Sequence, residues 1–329
     1  MPGAPAPRGP RRLLTVLLCA VAAAGLYGCS DSGPRDPAPT RTTTAPGGVS
    51  PLTGLPARTG PVLAVKIDNV PAARPHTGLG AADLVYVEQV EGGVTRLLAV
   101  YSSRLPDGIG PVRSARESDI PLLRPFGNPA LAYSGAQRAL NPLLEAAPLD
   151  LVHQSSAPAA FRRSPDRPAP HNLYLRPERA LAAAPDASDV RPVGFRFGAA
   201  PAGGTATTTE TVRFPAARYA FTWSAADRGW RVAMDGRTAT TTDDGPLAPA
   251  TVVVQRVTIR PSAFHDVNGA VSPYTETTGS GTATVLRDGR AHEARWSRPD
   301  PAAGTSFTTP DGRPLAFAPG QVWIVLAPR

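Results

Sequence analysis

The chain has 329 residues, and the first 28 have the pattern of a targeting segment, so the remainder is long enough for two ordinary domains. Hydrophobic residues make up 42% of the chain and charged residues 18%, which excludes a wholly disordered or fibrous protein, and 39 prolines spread along it exclude a bundle of long helices. The formal net charge is +8, but the arginines that carry it are scattered among acidic residues, so we expect no nucleic-acid binding.

The N-terminus has the three parts of an export signal. Positive charge at Arg8, Arg11 and Arg12 is followed by an apolar stretch over residues 13–25, which is too short for a secure membrane span, and then by Leu26-Tyr27-Gly28-Cys29. This pattern predicts a lipoprotein signal peptide over residues 1–28 and a mature N-terminus at Cys29, whose thiol takes a lipid. An ordinary secretory signal or an uncleaved anchor is the alternative, and either one also exports the chain.

Export would place the mature protein outside the cytoplasm, held at the cell membrane by the lipid on Cys29. The only other cysteine, Cys19, lies inside the signal, so no intramolecular disulfide can form in the mature chain. Residues 29–50 are rich in Pro, Thr, Ser and Gly and contain almost no large apolar side chain, which predicts a disordered tether. The folded part is therefore expected to begin near residue 51.

Residues 51–195 combine strand and helix patterns. A short apolar run over residues 61–67 predicts a buried strand, and residues 84–90 and 94–101 flank Glu91-Gly92-Gly93 as the two strands of a hairpin. Ser114 and Glu117 have the spacing of a capping box, which predicts a helix just after them, and further helices are predicted over residues 136–146 and 177–184. These elements predict an N-terminal domain of mixed α and β structure.

Residues 205–329 change to a threonine-rich alternation that is typical of β-strands. Strand patterns recur at residues 219–223, 230–234, 252–259, 282–286, 291–296 and 321–326. Asp235-Gly236, Asp288-Gly289 and Asp311-Gly312 are turn signals between several of them. We therefore predict a β-rich C-terminal domain, and α/β (α+β) as the fold class of the whole chain.

Short motifs follow one another in order along most of the mature chain: Pro51-Leu-Thr-Gly-Leu-Pro56, Val65-Lys-Ile-Asp-Asn69, Ala73-Arg-Pro75, Gly78-Leu-Gly-Ala-Ala-Asp83, Val87-Glu-Gln-Val-Glu-Gly-Gly-Val-Thr-Arg96, Ile109-Gly-Pro-Val-Arg-Ser-Ala-Arg116, Ala169-Pro-His-Asn-Leu-Tyr174, Val252-Val-Val-Gln255 and Pro319-Gly-Gln-Val-Trp323. In these motifs the chain resembles the YerB-like lipoproteins, exported bacterial proteins with a domain of unknown function and a C-terminal companion domain. The resemblance implies a layered α/β sandwich with a mixed sheet for residues 51–195. It implies no catalytic residues.

Two arginines, Arg113 and Arg116, bracket Ser114 where a helix is predicted to begin. Free backbone N–H groups at a helix start favour an anion, and a guanidinium adds a planar pair of donors suited to a carboxylate or phosphate. The pattern indicates an anion-binding pocket, aided by Lys66 or Arg74. In the alternative, acidic side chains of the protein itself neutralise these arginines: Glu88, Glu91, Glu117 or Asp119.

Other polar residues lie at strand ends. Asp68 and Asn69 close the first predicted strand, where open α/β sheets collect ligands, although the same dipeptide is also common in turns. Glu88 and Glu91, with Arg96 across the hairpin, are either a carboxylate pair for acid–base or glycosidic chemistry or cross-strand ion-pair partners.

His171 is a candidate general base, oriented by Asn172 and acting through Ser134 or Ser114. A hydrogen-bonded structural role in a loop is the alternative, because no G-x-S-x-G elbow accompanies either serine. The five histidines are widely separated, and no H-E-x-x-H motif, cysteine pair, dinucleotide loop or P-loop is present, so we expect no metal and no cofactor.

The sequence favours a non-enzymatic lipoprotein of the cell envelope that binds an anionic wall component or a protein partner in wall assembly. The residues predicted to line its binding groove are Lys66, Asp68, Asn69, Arg74, Glu88, Glu91, Arg96, Arg113, Arg116, His171 and Asn172. A hydrolase acting on envelope glycan or peptide through Glu88, Glu91 or His171 is the alternative function.

Overall fold

The computed structural model describes residues 47–266 and 268–329, and the predicted signal peptide, Cys29 and most of the predicted tether lie outside this part. The first strands are β1 (Leu63–Asp68), β2 (Leu84–Gln89), β3 (Thr95–Tyr101), β4 (Ala130–Tyr133), β5 (Asp150–His153), β6 (Phe161–Arg163) and β7 (Leu173–Leu175). The α-helices are short: α1 (Asp119–Leu123), α2 (Asn141–Ala146) and α3 (Pro177–Ala182). Within the described residues, six single 3₁₀ turns occur at Pro71–Ala73, Leu79–Ala81, Glu91–Gly93, Arg124–Phe126, Arg138–Leu140 and Pro158–Ala160.

The described residues from 205 onward contain strands and no α-helix. The strands are β8 (Thr205–Ala206), β9 (Thr209–Phe214), β10 (Ala217–Ser224), β11 (Gly229–Met234), β12 (Arg237–Thr238), β13 (Thr240–Thr241), β14 (Gly245–Pro246), β15 (Thr251–Val257), β16 (Ile259–His265), β17 (Val271–Thr275), β18 (Gly279–Arg287), β19 (Arg290–Arg298), β20 (Ser306–Thr308) and β21 (Val322–Pro328). The strand patterns predicted in this part of the sequence are therefore confirmed.

Eleven strands form one mixed sheet in the order β20-β19-β18-β15-β21-β2-β3-β1-β4-β5, with β8 paired to β19. The predicted hairpin of β2 and β3 is confirmed, and β1 lies beside β3. β2 also pairs in parallel with β21, Leu84 opposite Val322 and Val87 opposite Val325, so strands from both ends of the chain share the sheet. The predicted fold class, a mixed α/β protein with β-rich parts, is confirmed. The division into domains over residues 51–195 and 205–329 stays a prediction.

The sheet is covered on both faces, which explains why its central strands are apolar almost throughout. On one face the antiparallel sheet β12-β11-β10-β9 and helix α3 pack through a core that includes Val65, Val85, Ala180, Tyr219 and Trp230. On the other face, α1 and α2 pack through Ala64, Leu98, Leu123 and Leu144. Alternate residues of β1, β2 and β3 therefore point into two different cores.

Two predicted Asp-Gly turns have the positive φ angles that are typical of this residue pair in hairpins. Asp235 and Gly236 connect β11 to β12 with φ of 53° and 82°, and Asp288 and Gly289 connect β18 to β19 with φ of 50° and 71°. Two consecutive residues with positive φ are typical of the two-residue hairpin turn, for which Asp-Gly is a preferred pair. The Asp-Gly pairs thus position the hairpins of the C-terminal strands.

The predicted capping box at Ser114 is wrong. The helix begins at Asp119, and Ser114 lies in an extended segment because the chain just before it still pairs with β1: the Arg113 N–H donates to the Lys66 carbonyl at 2.8 Å. The start of the second predicted helix is also displaced, since α2 begins at Asn141 after a 3₁₀ turn, whereas Pro177 does occupy the first turn of α3 as predicted. Arg113 and Arg116 are therefore not placed at a helix start.

Candidate anion-binding site

A row of charged side chains crosses the central sheet where β1 and β2 end. Asp68 lies directly opposite Arg96, and Arg96 lies opposite Glu88 on its other side, so the three side chains point to the same face. Lys66 is two residues before Asp68 on that face. The segment over residues 112–119 passes over the row, and this places the polar ends of apolar strands under a loop that carries two more arginines.

Lys66, the only lysine of the chain, is fully buried between two carboxylates. Its Nζ atom lies 2.7 Å from Glu88 Oε1 and 2.6 Å from Asp119 Oδ1. The other oxygen of Asp119 accepts the backbone N–H of Arg116 at 2.7 Å. Lys66 is thus committed to internal ion pairs and does not line the cavity described below. Glu88 and Asp119 neutralise this lysine, and not Arg113 or Arg116, for which the sequence suggested them as counter-ions.

This triad holds two carboxylates against one ammonium group in a site without solvent, which disfavours the ionised form of Glu88. Burial raises the pKa of Glu88 to about 7, with the neighbouring Asp119 acting in the same direction and Lys66 opposing it. Glu88 in the folded protein therefore keeps its proton at higher pH than in the unfolded chain.

The raised pKa of Glu88 predicts a loss of stability as the pH rises. Between about pH 4.5 and 7 the folded state holds a proton that the unfolded chain has released, so the free energy of unfolding should fall across this window. Relative to Glu88→Gln, which cannot titrate, the wild-type protein should lose about 3 kcal/mol, measured by urea unfolding at several pH values. A difference between the two proteins that is independent of pH would contradict the raised pKa.

Arg116 is paired with Glu91 through both ends of its planar group. Its Nε lies 2.6 Å from Glu91 Oε1 and its Nη2 2.7 Å from Oε2, while Ser272 from β17 donates its hydroxyl to the same carboxylate. Burial alone would raise the pKa of Glu91, but the hydrogen bonds and charge of Arg116, together with the Ser272 hydroxyl, lower it to about 2. Glu91 is a structural counter-ion in this arrangement.

Arg96 has no such counter-ion among the described residues. The residue is 8% exposed, and its described hydrogen bond runs from Nη1 to the backbone carbonyl of Ser114 at 2.9 Å. Burial, and after it the positive charges of Arg116 and Arg113, lower the pKa of Arg96 to about 9, while the more distant charges of Glu91 and Asp68 act in the opposite direction. The guanidinium therefore carries a buried positive charge that the protein compensates incompletely.

The positive charge of Arg113 is compensated better than that of Arg96 and less well than that of Arg116. Its Nε lies 3.4 Å from Asp68 Oδ2, and the same oxygen is 2.7 Å from His171 Nδ1. The side chain of Arg113 is 28% exposed, so part of the guanidinium faces solvent. Asp68 is shared between His171 and Arg113, and it compensates Arg113 only in part.

A cavity of about 300 Å³ opens beside these arginines. It is walled by the segment over residues 113–117, the start of the α2 region and the β16–β17 hairpin. Its lining residues are Arg96, Arg113, Ser114, Ala115, Arg116, Glu117, Ala136, Gln137, Arg138, Leu140, Phe264, His265, Asp266, Asn268 and Ser272. Four arginines against two carboxylates give this arginine cavity a positive lining, with an apolar side formed by Leu140 and Phe264.

The structure places the other predicted site residues outside the arginine cavity. The side chain of Asn69 donates to Thr95 at 3.0 Å and Tyr219 at 2.5 Å, and Arg74 bonds Asn69 and forms an ion pair with Asp235 at 2.8 Å. Asn172 bonds Arg163 and Ser164 instead of orienting His171. Of the eleven residues predicted for the groove, Arg96, Arg113 and Arg116 line the cavity.

Sequence analysis missed the half of the cavity that comes from the β16–β17 hairpin and from Gln137 and Arg138. Phe264, Asp266 and Ser272 are far from Arg96 in the chain, and no motif marks them. The hairpin is held over the cavity by hydroxyl contacts: Ser262 donates to Glu117 at 2.5 Å, and the Thr275 N–H donates to Ser118 Oγ at 2.8 Å.

The geometry gives little support to hydrolysis by the predicted carboxylate pair. Glu88 is bonded to Lys66 and Glu91 to Arg116, so the two acids do not converge on a substrate site. His171 does pair with Asp68, as a general base requires, but within residues 47–266 and 268–329 no hydrogen bond joins it to Ser114 or Ser134. The same residues contain no cluster of three metal-binding side chains and no helix with the length and apolar character needed to cross a bilayer.

Fold and site together define a mixed α/β protein in which a shared central sheet supports an arginine-lined cavity. The chain belongs to the family described as "Protein of unknown function (DUF3048)": the model of its N-terminal domain matches residues 52–191 and that of its C-terminal domain matches residues 210–324. These two segments together span well over half of the chain.

A relative and a solved structure agree with this assignment. The Bacillus subtilis (strain 168) protein named "Putative lipoprotein YerB" is 26% identical over 299 residues, which covers 85% of this chain and 86% of the relative. The crystal structure of the YerB protein from Bacillus subtilis matches with a TM-score of 0.73 at 24% identity, covering 85% of this chain and 96% of that one. The predicted resemblance is confirmed, and the solved structure supports the fold.

Proposed function

We propose that this protein is an extracytoplasmic lipoprotein, attached to the membrane through Cys29, that binds an anionic ligand in the arginine cavity without catalysing a reaction. The ligand is either a component of the cell envelope or an anionic group on a protein partner in wall assembly. The observation that carries the proposal is Arg96, a buried guanidinium whose described hydrogen bond goes to a neutral carbonyl.

The physical reason is the cost of a buried charge without a partner. Burying an ionised group is unfavourable unless an opposite charge and hydrogen bonds compensate it, and most buried arginines are therefore paired. Arg116, on the segment that passes over the sheet, shows the paired arrangement with Glu91. A carboxylate or phosphate in the cavity would supply to Arg96 what Glu91 supplies to Arg116, as two parallel charge-assisted hydrogen bonds.

The membrane attachment is supported by the export signal in the sequence and by the name of the Bacillus subtilis relative. The chain has no lysine outside the buried triad, so its other permanently cationic side chains are arginines. An anionic ligand would therefore pair with arginine. Recognition on a rigid sheet by charge pairing requires no nucleophile or metal.

Binding of benzoate, a simple aromatic carboxylate, tests the proposal. Isothermal titration calorimetry on the full-length protein in detergent should show saturable binding that weakens at least tenfold in Arg96→Gln, because the substitution removes the charge and keeps a polar side chain. Arg295→Gln, at an exposed arginine of β19, is the matched control and should bind as the wild type does. Equal affinity in all three proteins would contradict an anion site at Arg96.

A further inference from the structure

We infer that the ligand of the arginine cavity is the carboxyl terminus of a peptide with an apolar last residue. This inference rests on the proposed function and narrows it from any anion to one chemical class. Three features of the cavity carry it: the number of uncompensated charges, the apolar wall beside them, and a glutamine oxygen that has no hydrogen-bond partner.

The charges inside the cavity fit a ligand with one negative charge. Glu91 occupies donor groups of Arg116, and Asp68 partly compensates Arg113, so among the arginines of this cavity the buried one without a carboxylate in ion-pair contact is Arg96. Arg138, at the entrance, is exposed and solvated. A ligand with two negative charges, such as a phosphate monoester, would bring the second one beside Arg113, which Asp68 already compensates in part, so only one of the two charges would meet a buried cation without a carboxylate.

One wall of the cavity that Arg96 lines is apolar. An inorganic anion has no apolar part and would leave this wall exposed to water. Ala136 and Leu140 line one side of the cavity, and Phe264 from β16 lines it from the hairpin. Leu140 is buried in the core, so this wall is held in place by the packing of the α2 region. An aliphatic side chain attached next to the anionic group would remove the partly exposed side chains of Ala136 and Phe264 from water, and this favours an amphiphilic ligand.

Gln137 supplies an acceptor for a hydrogen-bond donor on the ligand. Its Oε1 atom is buried and has no partner within the described residues, an arrangement that proteins usually avoid. The last torsion of a glutamine side chain is soft, so the amide can turn its oxygen toward a ligand in the cavity that it lines. A peptide carries an N–H two bonds from its terminal carboxylate carbon, whereas a phosphodiester of simple alcohols carries no donor.

The combination therefore matches a peptide end. Its carboxylate pairs with Arg96 and the exposed side of Arg113, its last side chain lies against Leu140 and Phe264, and its last N–H donates to Gln137. A planar carboxylate also fits the two parallel donors of a guanidinium, and this pairing fixes the direction in which the peptide enters.

Calorimetry on the full-length protein in detergent, with four probes, tests this inference. The probes are N-acetyl-alanyl-leucine, its C-terminal amide, the depsipeptide in which an ester oxygen replaces the last N–H, and dibutyl phosphate. We expect the amide to bind at least tenfold more weakly than the free carboxylate and the depsipeptide about threefold to tenfold more weakly. Gln137→Leu should abolish the difference between peptide and depsipeptide while both still bind.

The outcomes separate this inference from the proposed function. If dibutyl phosphate binds more tightly than the peptide, or the depsipeptide binds equally well, and Arg96→Gln still abolishes binding, the peptide assignment is wrong and the anion site stands. If no probe binds in a manner that depends on Arg96, both are wrong. A difference between peptide and depsipeptide that persists in Gln137→Leu would remove the role given to Gln137 and overturn the inference.

Discussion

Replacing Lys66 by methionine should lower the free energy of unfolding by about 3–5 kcal/mol at about pH 8, enough to unfold many domains. The side chain of Lys66 is fully buried, and its removal leaves Glu88 and Asp119 with no cation in contact. Breaking a buried pair costs more than the pair itself contributes, because the remaining charge stays desolvated. Urea unfolding followed by tryptophan fluorescence measures the change.

The double variant Lys66→Met with Glu88→Leu is the control for this prediction. It removes one carboxylate together with the ammonium group and leaves Asp119 with the Arg116 N–H, so it should recover a large part of the lost stability. A single variant that costs less than about 1 kcal/mol, or a double variant less stable than the single one, would show that the triad is not a closed ion-pair network.

Arg116 and Arg96 should respond to the same substitution in opposite ways. Arg116→Gln breaks a two-pronged pair with the largely buried Glu91 and should cost about 3 kcal/mol of stability. Arg96→Gln removes a buried charge that lacks a carboxylate partner, so stability should stay unchanged or increase although anion binding is lost. Loss of anion binding without loss of stability is the result expected for a residue that serves binding and lowers the stability of the folded protein.

Thermal and urea unfolding of the two variants beside the wild type test the contrast. Glu91→Gln should reproduce the loss seen in Arg116→Gln, since either change leaves the other partner buried and uncompensated. If Arg96→Gln is as destabilising as Arg116→Gln, Arg96 is a structural arginine, and the reason for assigning a ligand to it disappears.

The local patterns of the sequence predicted the elements of the fold well. The apolar run of β1, the hairpin around Gly92 and Gly93 and the Asp-Gly turns depend on neighbouring residues, so periodicity and turn chemistry suffice to find them. The pairing of β2 with β21 joins residues that are more than two hundred positions apart, and alternation says nothing about which strands become neighbours. The single continuous sheet therefore could not be read from the sequence.

The sequence predicted only part of the candidate site, again because it does not show which distant residues become neighbours. Arg113 and Arg116 could be identified as candidate anion ligands from their residue type, but the sequence left open which carboxylate pairs with which cation. The structure pairs Glu91 with Arg116 and Glu88 with Lys66, and it leaves Arg96 without a counter-ion among the described residues. That difference between three basic side chains depends on distances of a few ångströms, which composition and spacing do not encode.

A crystal structure grown with 4-bromobenzoate tests the central claim most directly, because the bromine can be located by its anomalous scattering. We predict one site in the arginine cavity, with the carboxylate within about 3 Å of the Arg96 guanidinium and the bromine toward Leu140 and Phe264. Bromine found only elsewhere, or an Arg96 paired with a carboxylate of its own chain beside an empty cavity, would contradict the account.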